Sequence, residues 1–194
     1  MFIALRRIVT RFSRLAPVRA ARRFARHEKG ATAVEFGMVA LPFLALTFAI
    51  LETALVFFAD QTLEAAVSDS ARLILTGQAQ TASYSQADFK TQVCNRLYGM
   101  FDCNKLVVDV KNYSDFSSVN ATPPVTSGKL DSSKSGFVPG GPSCIEAVSL
   151  YYAWPIYVTL LGNHLDNFSA GYRLLVATAV FRNEPYGGSN SCPT

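Results

Sequence analysis

Histidine is almost missing from this chain of 194 residues: there are two, His27 and His164, beside a single tryptophan. None of the four cysteines falls in a C-x-x-C spacing and His164 stands alone, so the ligand grouping of a zinc site is lacking. Asp166 lies two residues from His164, but no Ser or Cys nucleophile context accompanies them. His164 therefore reads as a solvated or capping side chain. These gaps point away from an enzyme, a cofactor and a small-molecule substrate.

Acids are scarce at the front of the chain. The first 29 residues hold nine Arg and Lys, among them Arg6, Arg22, Arg26 and Lys29, against the single acid Glu28. From Gly30 onward there are nine basic and thirteen acidic residues, so the pI of 8.9 describes the leader only. The basic run has no aromatic interleaving of the kind that stacks on bases, and it abuts an apolar segment. Cytoplasmic retention of the leader explains it better than nucleic-acid binding.

Charge is missing again from Phe36 to Ala59, where Glu52 is the only ionisable group. Those 24 residues span roughly 36 Å as a helix, enough to cross a hydrocarbon core of ~30 Å. Ten strongly apolar side chains between Phe36 and Leu51 favour insertion by about 3 to 6 kcal/mol. One carboxylate opposes this by at most ~3 kcal/mol. Insertion wins. The run exceeds the apolar core of an ordinary cleaved signal. Pro42 removes an internal hydrogen bond and is expected to kink the helix. Residues 60–76 continue the pattern with Leu63, Ala66, Val67, Ser70, Leu73 and Ile74 on one face before Gly77 stops it. Span and extension are expected to form one helix, with Glu35 near the cytoplasmic boundary and Glu52 near the opposite one.

At the junction of leader and span stands Gly30-Ala31-Thr32-Ala33-Val34-Glu35-Phe36. With Pro42, Glu52 and a closing Arg182-Asn183-Glu184-Pro185-Tyr186, this resembles the TadE/TadG-like family, the pseudopilins or minor pilins of the tight-adherence (Flp-type) pilus system. The resemblance covers residues 30–76 most strongly, 145–186 less so, and not the central loop. It implies a prepilin peptidase site, with Gly30 the last leader residue, Ala31 the new N-terminus and Glu35 the fifth residue of the mature chain. It further implies other pilin-like subunits and a pilus assembly platform as partners. The protein is then single-pass in the inner membrane, N-terminus cytoplasmic and C-terminal domain periplasmic or extracellular. Physical chemistry supports such a site: glycine lets the backbone lie extended and close to a protease. A carboxylate at the bilayer edge needs a partner, and a neighbour's free amine on Ala31 would supply one and set the axial register. Snorkelling of Glu35 to the headgroups is the plainer alternative.

Residues 77–194 suffice for one small domain. Ser85, Asp88 and the repeat Phe89, Val93, Leu97 predict a helix over 85–99. Strands are expected at 105–113, at 145–161 with an interruption at Pro155, and at 172–182, where polar and apolar residues alternate. The fold class is therefore α+β: a long helix followed by a small antiparallel sheet. Residues 114–143, with eight Ser, four Pro and four Gly, read as a mobile excursion that buries little. Within it Asp131-Ser132-Ser133-Lys134-Ser135 fits an Asp-x-Ser-x-Ser metal pattern, which a Ser-rich loop meets by chance. Asn112, Asn120 and Asn167 fit Asn-x-Ser/Thr. The aromatics Tyr151, Tyr152, Trp154, Phe168 and Phe181 read as core and sheet face rather than a ligand platform.

An even set of cysteines in an exported domain favours disulfides, though buried free thiols remain the alternative. Cys94, Cys103, Cys144 and Cys192 allow three connectivities. Joining Cys94 to Cys103 closes a short loop off the helix end; joining Cys144 to Cys192 staples the tail to the start of a strand. On loop entropy the two contribute roughly 3 and 4 kcal/mol. The reading that unites these features is a processed, pilin-like assembly component. An unprocessed, membrane-anchored binding module that recruits a ligand through its loop is the alternative.

Overall fold

The computed structural model describes residues 30–157, 167–169, 171–188 and 192. The arginine-rich leader, His27, His164 and Asp166 lie outside the described residues. The chain divides into two compact units, one up to Phe48 and one from Ala49 onward.

Helix α1 runs from Ala31 to Leu75 without a break at Pro42. In the first unit its apolar side chains face outward: Phe36 and Met38 are each 74% exposed and Leu41 72%. Such exposure separates it from the core helix of a soluble protein, which would hide these groups. Among the described residues it is the one helix long and apolar enough to cross a membrane.

In the second unit the same helix becomes the spine of a domain. Val56, Ala59, Leu63, Ala66, Val67, Ala71 and Ile74 recur every three or four residues and are all buried. That spacing places them on one stripe. The helix stops at Gly77, whose φ of 74° takes the left-handed conformation that ends helices. A short helix, α2 (Gln78–Thr81), follows, and then α3 (Gln86–Cys94). Ser85 and Asp88 make a full capping box at the start of α3, as their spacing predicts. The helix ends at Cys94 rather than near Gly99, because residues 95–100 form turns.

Three antiparallel strands make the main sheet in the order β1 (Val107–Tyr113), β4 (Ile145–Pro155), β5 (Tyr172–Arg182). Two short strands, β2 (Val125–Thr126) and β3 (Lys129–Leu130), pair in the connection between β1 and β4. The expected strands at 105–113 and 172–182 are therefore present, and the expected 145–161 strand is regular as far as Pro155, its last residues, 158–161, lying outside the described residues. Register places Val108 opposite Leu150 and Leu150 opposite Ala177; Val110 faces Val148, and Tyr152 faces Leu175. Those residues share one face of the sheet and are buried with Phe89 and Val93 of α3 and the inner stripe of α1. Each large side chain so buried stabilises the fold by about 1.5–3 kcal/mol relative to an exposed one. The architecture is α+β.

Residues 114–143 leave half of their side chains exposed, yet their backbone is held at several points. The Tyr151 hydroxyl donates to the Ala121 carbonyl at 3.4 Å, the Tyr113 hydroxyl to the Asn120 carbonyl at 2.9 Å, and Gly136 N–H to Asp109 at 2.7 Å. Phe137 forms a parallel bridge with Val110 and sets its ring 5.4 Å from that of Phe89.

The stop at Gly77 makes a sharp prediction. A methyl group there would lie 2.7 Å from the Tyr186 ring, on a backbone that side chains disfavour by about 1–2 kcal/mol. Gly77→Ala should lower the denaturant midpoint of the full-length protein in detergent, whereas Gly99→Ala, with open space around it, should lower it less. Equal midpoints for the two variants would refute the role given to the Tyr186 contact.

Candidate functional site

Among the described residues, nothing lies within 4 Å of the place where a side chain on Gly30 would begin, and the helix starts at Ala31. Glu35 and Phe36 are exposed, and Glu35 has no ion-pair partner among the described residues. Glu35 thus lies on a surface of the described helix that another molecule can reach.

Glu52 occupies a different setting. It is buried, and its carboxylate accepts a hydrogen bond from the backbone N–H of Tyr157, two residues beyond the end of β4. An acid in the middle of an apolar helix is thereby satisfied by the domain that the same helix supports. Its position near the end of the apolar run was legible in the sequence. Its partner, 105 residues further along the chain, was not.

The opposite end of the domain is closed by the segment from Arg182 to Tyr186. Asn183 N–H donates to the Cys144 carbonyl at 2.8 Å, and its side-chain amide donates to the carbonyls of Gly140 at 3.2 Å and Gly141 at 3.0 Å. Glu184 N–H meets the Leu75 carbonyl at 3.0 Å, satisfying a carbonyl left over at the end of α1. The Tyr186 ring covers Gly77 and its hydroxyl donates to the Gly140 carbonyl at 3.3 Å. At the centre lies Glu146, fully buried, whose Oε1 accepts from Gly140 N–H while Oε2 has no hydrogen-bond partner among the described residues. Burial pushes its carboxyl up to about 7, opposed in part by that one hydrogen bond. Sequence reading missed this buried acid. The one available signal was a glutamate beginning an otherwise apolar central strand.

A family model described as TadE-like protein matches residues 30–72, from the junction glycine through most of α1. Residues 30–72 are TadE-like. No curated protein and no solved structure matches the chain. The exposed apolar helix of the TadE-like segment fits a single-pass membrane protein.

Beyond the TadE-like segment two disulfides brace the domain. Cys94 joins Cys103 with Cα atoms 6.0 Å apart, fastening the end of α3 to the turn before β1. Cys144 joins Cys192 at 5.6 Å, fastening the tail to the start of β4. Asp131 caps a single turn, accepting from Ser133 N–H at 3.0 Å and from the Thr126 hydroxyl at 2.9 Å. Hydrogen bonds from Ser133 first, then Thr126, hold its carboxyl below the usual range. Asp-x-Ser-x-Ser here is turn chemistry. Asn120 and Asn167 accept local hydrogen bonds from Thr122 N–H and Leu174 N–H, and the Asn112 amide donates across the connection to the Val138 carbonyl. Phe101, Tyr152 and Trp154 form an edge-packed aromatic group in and beside the core.

Glu146 generates a pH dependence. Its native carboxyl holds a proton more firmly than an unfolded glutamate, so the folded state binds more protons between pH 4.5 and about 7. Stability then falls as pH rises through that window, by up to about 3 kcal/mol, and is level above it. Glu146→Gln should flatten this part of the stability–pH curve of the full-length protein. An unchanged slope in the variant would remove the assignment.

Proposed function

We propose that this protein is a pilin-like assembly component of a tight-adherence pilus system, made with its leader in the cytoplasm and cut after Gly30 by a prepilin peptidase. Its helix packs with equivalent helices of other pilin-like subunits at the assembly platform, and its disulfide-braced head presents a surface on the far side of the inner membrane. The observation that carries this reading is where the TadE-like match begins: at Gly30, the glycine between the basic leader and the apolar run. Small residues at Ala31 and Ala33 let a second helix approach closely. Exposed Glu35 is then within reach of a neighbour's new amine, and the charge pair sets the stagger between subunits.

Two experiments test it. N-terminal sequencing of protein from cells with and without the peptidase should show a chain starting at Ala31 only where the enzyme is active; a retained leader in competent cells would favour a permanently anchored binding module. Glu35→Ala should leave membrane insertion unchanged and reduce cross-linking to partner subunits by roughly tenfold or more, the loss expected when one charge of a partly buried pair is removed. Undiminished cross-linking would sink the register role.

A further inference from the structure

The end of the head that carries Tyr157 meets α1 within its exposed apolar stretch. Ile50, Leu51, Leu55, Phe57 and Phe58 are more than half exposed, and they flank Glu52 on both sides along the helix. Water-facing character begins with Asp60, Gln61 and Glu64, the last two linked by an exposed hydrogen bond. Eight residues separate Glu52 from Asp60, which is about 12 Å of helix on the apolar side of that boundary. Yet Glu52 is buried by its own domain and holds the backbone N–H of Tyr157. Tyr157 itself is 82% exposed.

We propose that the end of the β4–β5 pair carrying Ile156 and Tyr157 is seated among the headgroups and upper acyl chains of the bilayer that α1 crosses, tied down by the Glu52 carboxylate. This rests on the membrane-spanning reading of α1 and adds a second lipid contact to it. The occupant is lipid because the patch is continuous with the exposed apolar side chains of α1 at the same level. The backbone is prepared for it: Tyr157 N–H is taken by Glu52 and Ile156 N–H by the Gly171 carbonyl at 2.8 Å, so neither donor enters lipid unsatisfied. A tyrosine, apolar in its ring and polar at its tip, suits that depth.

Depth-dependent quenching of the full-length protein in phosphatidylethanolamine–phosphatidylglycerol vesicles tests the proposal. With Trp154→Phe as background, a lone tryptophan is introduced as Tyr157→Trp, Phe43→Trp or Phe116→Trp, the last in the connection that follows the far end of β1. Lipids brominated on the upper acyl chain should quench Tyr157→Trp and Phe43→Trp, and aqueous iodide should quench only Phe116→Trp. Iodide access at Tyr157→Trp with Phe43→Trp still lipid-quenched overturns the proposal and spares the membrane span. Shielding of Tyr157→Trp from both quenchers means a protein neighbour covers it, which also overturns the proposal. Failure of lipid quenching at Phe43→Trp defeats both readings. Should Trp154→Phe not fold, a fluorophore on Tyr157→Cys, with Trp154 kept, meets the same two quenchers: quenching by brominated lipid supports the seating, and quenching by iodide or by neither overturns it.

Discussion

The inner stripe of α1 is the interaction on which everything else in the head depends. A sheet of three strands has one face to bury, and here that face closes on Leu63, Ala66, Val67 and Ile74 of a helix that begins in a different environment. The head has no core without the second half of this helix, from Val56 to Ile74.

Two polar ties fix the helix along the sheet, one near each end of β4. Glu52 holds Tyr157 beyond the last residue of β4, and the Leu75 carbonyl takes Glu184 N–H just past the end of β5. Between them the contact is apolar and tolerant of sliding in principle; the ties set the register. The closing segment from Arg182 to Tyr186 reads best in that light. It meets Gly77, Gly140, Gly141 and the Cys144–Cys192 staple within five residues, so one short stretch locks helix, connection and tail together.

The two ends of the protein use carboxylates differently. Glu35 is exposed on a helix surface and available to another molecule, whereas Glu52 and Glu146 are absorbed by the fold. Spacing cannot distinguish these roles. All three are single acids in apolar surroundings; what differs is whether a backbone donor arrives from elsewhere in the chain. Burial pushes the Glu146 carboxyl up to about 7, and the one hydrogen bond it accepts from Gly140 N–H opposes that only in part.

Local chemistry made much of this legible in advance. The capping pair Ser85 and Asp88, the left-handed stop at Gly77, the strand alternation over 172–182 and the apolar run after Gly30 each act within a few residues, so sequence alone determined α1, the start of α3, the three main strands and the α+β class, but not the short elements α2, β2 and β3. Helix α3 ends several residues short of where its apolar repeat predicts, because turns after Cys94 override that repeat. The partner of Glu52, the burial of Glu146 and the anchoring of residues 114–143 were decided only by tertiary structure. Each depends on which backbone groups meet across tens of residues, and composition and periodicity carry no record of that meeting.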